Sequence, residues 1–331
     1  MTRSDRLVTI FGGSGFLGRH VVHELARRGW RIRIATRRPD LAFHVQPSGR
    51  VGQIHAVQAN LRYPDSILPA LQHADAVVNL VGILREHGAQ SFEAVNHRGA
   101  RAVAEAVKAA GIKTFVHMSA LGADSTAPSL YAKTKAGGEA AVLENLPGAV
   151  ILRPSVVFGP EDQFFNRFAA MARLLPALPL IGGGQTKLQP VYVGDVAEAV
   201  ALALEGKALA GTAYELGGPE VASLGEIIRF VLRVTERKRL LVPIPFGLAR
   251  LLGGATEIAM KASLGFFPEL LALTRDEVDL LRRNNIVTDQ AQSERRTLEG
   301  LGIAPESFEA LVPAYISRYR KTGRFADDEL A

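Results

Sequence analysis

The chain has 331 residues, of which 47% are hydrophobic and 22% charged, and it carries a net charge of +6. This composition is typical of a folded globular protein and excludes a disordered one. The absence of cysteine excludes disulfides, thiolate metal sites and a cysteine nucleophile. No DNA- or RNA-binding motif accompanies the basic excess, so we expect no nucleic-acid partner. A phosphorylated cofactor, an acidic partner and an anionic membrane all remain compatible with it.

Short β-rich runs alternate with amphipathic runs through the first half of the chain. The predicted strands cover residues 7–11, 31–35, 54–58, 76–81, 114–119 and 149–152. The predicted helices cover residues 16–28, 64–72, 93–110 and 131–144. Apolar strands that alternate with helices predict a parallel sheet covered on both faces. The fold class is therefore α/β, with a Rossmann-type doubly wound parallel sheet.

The pattern changes beyond Pro154, where proline and glycine become denser and helical runs dominate. We expect residues 1–155 to form a dinucleotide-binding domain and residues 156–331 to form a smaller, mixed and mainly helical lobe that faces a substrate or partner. Two more strands are predicted, near residues 190–193 and 212–216. We expect the strand near 190–193 to return to the main sheet, with a small annex as the alternative location for both strands.

A glycine-rich loop follows the first predicted strand. Gly12 permits the tight turn out of the strand, Gly15 lets the backbone approach a diphosphate, and Gly18 allows the helix to pack closely on the sheet. The helix that begins with Phe16 and Leu17 offers free N–H groups and a partial positive charge to phosphates. A purely structural turn is the alternative, but strand, loop and helix in this order predict dinucleotide binding.

The end of the second predicted strand indicates which dinucleotide binds. NAD-binding proteins usually carry an acidic residue about 20 residues after the glycine loop, where it bonds the ribose 2′-hydroxyl. Here Arg37 and Arg38 occupy that region, and the first carboxylate is Asp40. A guanidinium suits a 2′-phosphate through forked, charge-assisted hydrogen bonds. We therefore favour NADP(H) over NAD(H), with a solvated basic turn as the alternative.

A tyrosine and a lysine lie four residues apart on the fourth predicted helix. Tyr131 and Lys135 therefore share one helical face, and Ser119 ends the fifth predicted strand. In a reductase site, the lysine would hold the ribose hydroxyls, the tyrosine would pass a proton to or from the substrate oxygen, and the serine would polarise that oxygen. A tyrosine and lysine at this spacing also occur by chance on surface helices.

Together these motifs resemble the extended and atypical short-chain dehydrogenase/reductase superfamily. The matching residues are Gly12-x-x-Gly15-x-x-Gly18, Asn60-Leu61, Asn79-Leu80-Val81-Gly82, Ser119, Tyr131-x-x-x-Lys135 and the run from Arg153 to Pro160. The resemblance implies roles for three groups of cofactor-binding residues. Asn60 and Leu61 would flank the adenine, Leu80, Val81 and Gly82 would line the nicotinamide ribose, and Pro154, Val156 and Val157 would contact the nicotinamide.

The chain departs from the superfamily pattern at three of these positions. Asn60 stands where aspartate is usual, and Leu80 and Val81 stand where small residues are usual. The two larger side chains narrow the pocket, so the resemblance implies cofactor binding more strongly than it implies turnover. The resemblance implies no bound metal ion.

The second half of the chain resembles one branch, the dehydrogenase-like accessory subunit family of respiratory complex I, the proton-pumping NADH:quinone oxidoreductase. The matching runs cover residues 161–169, 189–196, 243–245 and 273–278. The resemblance implies tight NADPH binding and an accessory or assembly role beside other complex I subunits, near the quinone site of the peripheral arm. The alternative is a free-standing oxidoreductase, epimerase or dehydratase that uses Ser119, Tyr131 and Lys135 on a small carbonyl or alcohol substrate.

Residues 229–268 combine a basic cluster with an apolar, proline-broken stretch. Such a segment is a candidate for contact with a membrane surface or a partner, although we favour a buried lobe for its apolar residues. Charged residues interrupt the apolar run from Leu240 to Leu273, so it is not a spanning helix. With no signal peptide expected either, we expect a cytoplasmic protein at the inner-membrane face, or on the matrix side in a mitochondrion.

Overall fold

A computed structural model describes residues 6–263, 268, 270, 272–321 and 323, without the side chain of Lys261. The chain divides into two compact units. The first comprises Met1–Pro154, Val193–Leu216 and Val287–Ala304, and the second comprises Ser155–Tyr192, Gly217–Ile286 and Pro305–Ala331. We predicted the main boundary after residue 155, with one later strand returning to the first domain. In the structure two later segments, Val193–Leu216 and Val287–Ala304, belong to the first unit.

Strands and helices alternate from the first described residues onward. The strands are β1 (Leu7–Phe11), β2 (Arg31–Thr36), β3 (Ile54–Gln58), β4 (Ala76–Asn79), β5 (Thr114–Met118), β6 (Val150–Pro154), β7 (Val157–Phe158), β8 (Ala177–Ile181), β9 (Lys187–Leu188), β10 (Val191–Tyr192), β11 (Ala213–Leu216), β12 (Ala222–Ser223) and β13 (Leu240–Ile244). The helices are α1 (Phe16–Arg27), α2 (Ile67–Ala70), α3 (Arg98–Ala109), α4 (Leu130–Asn145), α5 (Phe165–Leu174), α6 (Val193–Leu204), α7 (Leu224–Val234), α8 (Phe246–Ala262), α9 (Arg275–Leu280), α10 (Asp289–Ser293) and α11 (Phe308–Ile316).

The first unit is built on a seven-stranded sheet in the order β11-β6-β5-β4-β1-β2-β3. Every neighbouring pair in it is parallel. All five residues of β1 and all four of β4 are buried, as expected for central strands covered by helices on both faces. The predicted α/β fold class, with a Rossmann-type sheet and a mainly helical second part, is confirmed.

The prediction that a strand near residues 190–193 returns to the main sheet is wrong. Strand β10 pairs with β7 in a separate two-stranded sheet, and it has only two residues because α6 begins directly after it. The strand that does return is β11, which pairs along β6 from Ala213 to Leu216.

An aromatic cluster organises the core of the second unit. The rings of Phe165 and Phe308 stack with centroids 5.6 Å apart, and Phe230 meets Phe308 edge-on at 5.3 Å. Beside them, the buried carboxylate of Asp162 accepts hydrogen bonds from three backbone N–H groups and from the Tyr315 hydroxyl at 2.6 Å. A buried charge that is bonded in this way fixes the turn before α5.

Candidate functional site

The predicted site residues of the first unit follow the carboxyl ends of neighbouring parallel strands. The glycine loop follows β1, the arginines follow β2, the Leu80–Gly82 run follows β4, and Ser119 follows β5. Because neighbouring strands are parallel, their carboxyl ends all lie at one edge of the sheet. The chain leaves β1 toward β2 and β3 and then crosses back to β4 on the other side of β1. Such a switch point is where doubly wound sheets bind their ligands.

Close backbone packing fixes the glycine loop. Gly12 has a φ of +82°, which favours glycine. A Cβ added at Gly18 would lie 2.3 Å from the Gly12 carbonyl oxygen, so any side chain there would force the loop away from α1. A Cβ added at Gly15 would lie 3.5 Å from the same oxygen. Packing therefore does not require glycine at Gly15, which is exposed and whose N–H donates to the Gly12 carbonyl oxygen at 3.1 Å.

Helix α1 begins at Phe16 with Gly15 as its N-cap. The cap contributes no side-chain hydrogen bond, and the first turn, which includes Leu17, contains no acidic residue. No anionic side chain of the first turn therefore neutralises the first N–H groups or the positive dipole end of the helix. This arrangement suits a diphosphate.

Lys135 is buried, and Gly82 provides the space for its ammonium group. The Lys135 Nζ donates a hydrogen bond to the Met118 carbonyl oxygen at 3.0 Å. A Cβ added at Gly82 would lie 2.9 Å from the same nitrogen. Burial lowers the pKa of Lys135 to about 8, although the nearby carboxylate of Glu139 opposes this change.

Ser119 and Tyr131 occupy different environments near this lysine. Ser119 is 4% exposed, and its Oγ has no hydrogen-bond partner among the described residues. A buried hydroxyl without a partner is costly and fits a site that a ligand completes. Tyr131 lies in the first turn of α4 and is half-buried, with its ring edge-on to that of Phe92 at 5.8 Å.

Two polar residues support this region through contacts that the sequence did not predict. Asn79, at the end of β4, accepts a hydrogen bond from the Val81 N–H at 3.1 Å, and its amide nitrogen lies 3.2 Å from Nδ1 of His117. Burial, followed by the charge of Lys135, lowers the pKa of His117 to about 3. The histidine is therefore neutral at physiological pH, and no spacing rule could have identified it.

A single π-helical turn, Glu93–His97, was also missed. It brings the side-chain oxygen of Asn96 to the Ile83 N–H at 3.1 Å, which holds the backbone just after Gly82. A Cβ added at Gly138 would lie 2.3 Å from the Asn96 carbonyl oxygen, so this turn packs directly against α4. The adjacent glycines 137 and 138, inside a predicted helix, were the sequence signal for this contact.

Arg37 and Arg38, after β2, are exposed, and Asn60 and Leu61, after β3, are half-buried. Arg38 forms a fork with Asp40, with Nη2 2.7 Å from Oδ2. Arg37 is exposed and forms no hydrogen bond or ion pair with another described residue. The side-chain oxygen of Asn60 accepts the Arg62 N–H at 3.2 Å, and Leu61 packs against Gly99 on α3.

The remaining predicted residues lie at or beyond the end of β6. Pro154 is the last residue of β6, and its carbonyl oxygen accepts the Leu121 N–H at 2.9 Å. Val156 and Val157 belong to the second unit. There the Val156 carbonyl oxygen accepts the Val191 N–H, and Val157 pairs with Val191.

The described residues contain no cluster of histidine, cysteine and carboxylate side chains suited to a metal ion. Within the same residues, no helix has both the length and the apolar character needed to cross a bilayer.

Comparisons with known proteins identify the family. The profile of the NAD dependent epimerase/dehydratase family matches residues 8–217. The chain belongs to this family. This epimerase/dehydratase chain is also 33% identical to NADH dehydrogenase (ubiquinone) 1 alpha subcomplex subunit 9 of Arabidopsis thaliana over 324 residues, which cover 97% of this chain and 79% of that protein. It is therefore a member of the complex I subunit 9 branch that the sequence motifs resemble.

Two further similarities bear on the epimerase/dehydratase fold and chemistry. The ceramide reductase of Caulobacter vibrioides is 35% identical over 196 residues, which cover 59% of this chain and 60% of that protein. The solved structure of dTDP-glucose 4,6-dehydratase from Bacillus anthracis in complex with NAD aligns with a TM-score of 0.68, over 95% of this chain and 96% of that one, at 17% identity. The alignment with the dehydratase structure shows that the two chains share a fold.

Gly82→Ala tests the space that Gly82 leaves for the lysine. The added methyl group would displace the Lys135 ammonium and lower the affinity for a nicotinamide dinucleotide by about tenfold or more, the equivalent of ~1.4 kcal/mol. Titration calorimetry measures this affinity. The control is Gly148→Ala, because a Cβ there would meet nothing within 4 Å. Unchanged affinity in a folded Gly82→Ala protein would contradict this account of the site.

Proposed function

We propose that the protein binds NADP(H) and serves as an accessory or assembly subunit of respiratory complex I, in which the cofactor mainly stabilises the structure. The observation that carries this proposal is the identity to the Arabidopsis complex I subunit across 97% of the chain. The proposed assignment of the site residues to a dinucleotide supports the part of the proposal that concerns NADP(H) binding.

The residues of the first unit fit a nicotinamide dinucleotide from one end to the other. The N–H groups of the Gly12–Gly18 loop would hold the diphosphate, and Asn60 and Leu61 would flank the adenine. Leu80, Val81, Gly82 and Lys135 would surround the nicotinamide ribose. The buried, unpartnered Ser119 hydroxyl supports the presence of a ligand at this end of the site.

The charges after β2 support NADP(H) over NAD(H). No carboxylate occupies the end of β2 itself, where one would bond the ribose 2′-hydroxyl. Asp40 is already bonded to Arg38, whereas the guanidinium of Arg37 has no such partner among the described residues. We therefore assign the 2′-phosphate chiefly to Arg37, with Arg38 as a second contact once it leaves Asp40.

Arg37→Gln tests the assignment of the phosphate. A hydrogen bond to a charged group contributes about 1.5–3 kcal/mol, so the NADPH affinity should fall roughly tenfold to a hundredfold while the NADH affinity stays the same. Dissociation constants for both nucleotides, measured at one ionic strength, give the ratio. The matched control is Arg31→Gln, an exposed arginine at the opposite end of β2. An equal loss for both nucleotides would show that Arg37 does not recognise the 2′-phosphate.

A second candidate function is a reductase acting on a carbonyl substrate. Ser119, Tyr131 and Lys135 are all present, and the similarity to the Caulobacter ceramide reductase favours this class of reaction. A bound NADPH would supply the hydride, Tyr131 would donate the proton to the substrate oxygen, and Ser119 would hydrogen-bond that oxygen. The larger side chains of Leu80 and Val81 beside the nicotinamide favour the structural role.

One purification separates the two functions. Protein isolated from its native membranes under mild conditions should copurify with complex I subunits and release NADP(H) on denaturation. Tyr131→Phe should leave both results unchanged, because the phenol hydroxyl has no role in a structural site. A monodisperse protein without complex I subunits, together with carbonyl reduction that Tyr131→Phe abolishes, would overturn the accessory role in favour of the reductase.

We further propose that the protein lies on the cytoplasmic face of the inner membrane, or on the matrix side in a mitochondrion, near the quinone end of the peripheral arm. Our prediction that the apolar residues of segment 229–268 are buried holds for some of its described residues, such as Phe230 and Val231, and is wrong for others. Large side chains of β13 and α8 are exposed there: Leu240, Val242, Leu248, Leu251, Leu252 and Ile258. Residues 264–267 of this segment lie outside the described residues.

Positive charge accompanies this apolar face. An open hollow of about 680 Å³ beside α8 is lined by Arg250, Arg275 and Arg282 together with Leu251 and Ile258. Two carboxylates, Glu257 and Asp279, pair with these three guanidiniums, so the group keeps one net positive charge. Exposed apolar side chains beside cations are typical of a helix that lies on an anionic bilayer.

Ile258→Glu tests this surface. Burial of one such side chain contributes about 1.5–3 kcal/mol, so the substitution should weaken binding to phosphatidylglycerol vesicles by roughly tenfold or more. Leu209→Glu is the matched control, because Leu209 is 66% exposed and Ile258 67%, and it should bind as wild type does. If Ile258→Glu releases the protein from complex I while vesicle binding is unchanged, the face docks on a protein, and the membrane assignment is wrong.

A further inference from the structure

Helix α4 carries a second buried charge one turn beyond Lys135. Glu139 is 6% exposed and Lys135 is 5% exposed, and their four-residue spacing places them on one face of the helix. Burying an isolated ammonium or carboxylate is very costly, so each group needs a compensating partner. The ammonium itself has a neutral hydrogen-bond acceptor, the Met118 carbonyl oxygen.

A guanidinium from β6 holds Glu139 in place. Arg153 donates to the two Glu139 oxygens at 2.9 Å from Nε and 2.6 Å from Nη2. This fork fixes the plane of the carboxylate as well as its position. The other side of Arg153 faces Glu215 of β11 at 3.9 Å, and Glu215 accepts the Thr288 N–H at 2.8 Å.

The four charged groups form a series from α4 across two strands. Lys135 and Arg153 contribute two positive charges, and Glu139 and Glu215 contribute two negative charges, so the buried group has no net charge. Arg153 is bound by carboxylates on both sides, and the charge of Glu139 also favours the protonated form of Lys135. Glu139 therefore compensates the charge of Lys135 as well as that of Arg153.

We propose that Glu139, fixed by Arg153, is a positioning residue that keeps the buried Lys135 ammonium charged and directed at the nicotinamide ribose. This inference rests on the proposed cofactor site. It explains why a carboxylate is buried in α4 on the side of Lys135, where an apolar residue would pack without the cost of desolvating a charge.

Other groups near Lys135 do not supply this charge. His117, on β5, is neutral over the physiological range because burial and the lysine lower its pKa to about 3. Tyr131, on the same helix, carries a phenol rather than a carboxylate. Asn96 and Ser119 are polar and uncharged. Glu139 is therefore the group whose removal should change the titration of Lys135.

The expected pH dependence follows from the sign of the charge. Below pH 8 the lysine is protonated and holds the ribose, and as the pH rises through about 8 it loses its proton and the cofactor binds less tightly. In Glu139→Gln this loss should begin at lower pH. At pH 8 the variant should bind NADPH roughly threefold to tenfold less tightly than wild type, and at pH 6 the two should bind alike.

The test combines NADPH titrations from pH 6 to pH 10 with NMR of 13C-labelled lysine, in which Lys135 is assigned through its absence from Lys135→Arg. Glu139→Gln should move the Lys135 titration to lower pH. The control Glu144→Gln, an exposed carboxylate on the same helix, should not. An unchanged Lys135 titration in Glu139→Gln would overturn the inference. Wild-type protein that binds no NADPH at any pH would instead refute the proposed function, and the NMR result would still decide the role of Glu139.

If Glu139→Gln does not fold, the double variant Glu139→Gln/Arg153→Gln removes both members of the fork, so neither is left without the other. Glu215 loses Arg153 in this variant but keeps the hydrogen bond from the Thr288 N–H. The inference expects Lys135 to titrate at lower pH in this protein too, because Glu139 is the removed charge that acts on Lys135. A Lys135 titration equal to that of wild type would contradict it.

Discussion

The close contact between the loop after β1 and helix α1 is the constraint on which the candidate site depends. Only a glycine at position 18 lets the helix start against the Gly12 carbonyl, because a Cβ there would lie 2.3 Å from that oxygen. This contact points the first N–H groups of α1 along the carboxyl edge of the sheet. Every other proposed cofactor contact of the first unit lies on this edge or just beyond it.

The charges of the proposed site differ in what compensates them. The N-terminus of α1 would offer partial positive charge to a diphosphate, Arg37 would offer a full charge at the adenosine end, and Lys135 would offer one at the nicotinamide end. The exposed arginine needs no internal partner, since water solvates it. The buried lysine does need one, which accounts for the chain of charges from Glu139 through Arg153 to Glu215. The buried ammonium also needs space, which explains the glycine at position 82: a Cβ there would lie 2.9 Å from the Lys135 Nζ.

Local sequence patterns were sufficient for the sheet and for the residues along its carboxyl edge. The bounds of β1 and β3 agree with the predicted strands because turn residues flank a short apolar run in each case. The pairing partner of β10 was mispredicted, because a two-residue strand has no sequence pattern of its own and tertiary packing determines which strand it pairs with. Exposure of the apolar residues on α8 was also missed, since hydrophobicity alone does not tell which face of a helix has a partner.

The supporting residues of the site were the least predictable part. Asn79 and His117 come from different strands, and their meeting depends on the β4–β5 register. Glu139 is visible in the sequence as one turn from Lys135, but its partner Arg153 comes from the strand that follows the helix, so the buried fork could not be inferred from spacing. The π-helical turn around Asn96 likewise depends on close packing with α4.

A crystal structure of the protein with NADPH would test the central claim most directly. The account predicts the diphosphate within about 3.2 Å of backbone N–H groups between Gly12 and Gly18, the 2′-phosphate on the Arg37 guanidinium and the ribose hydroxyls on the Lys135 ammonium. A well-ordered protein that showed no nucleotide at saturating NADPH, or bound it away from this loop, would contradict the account.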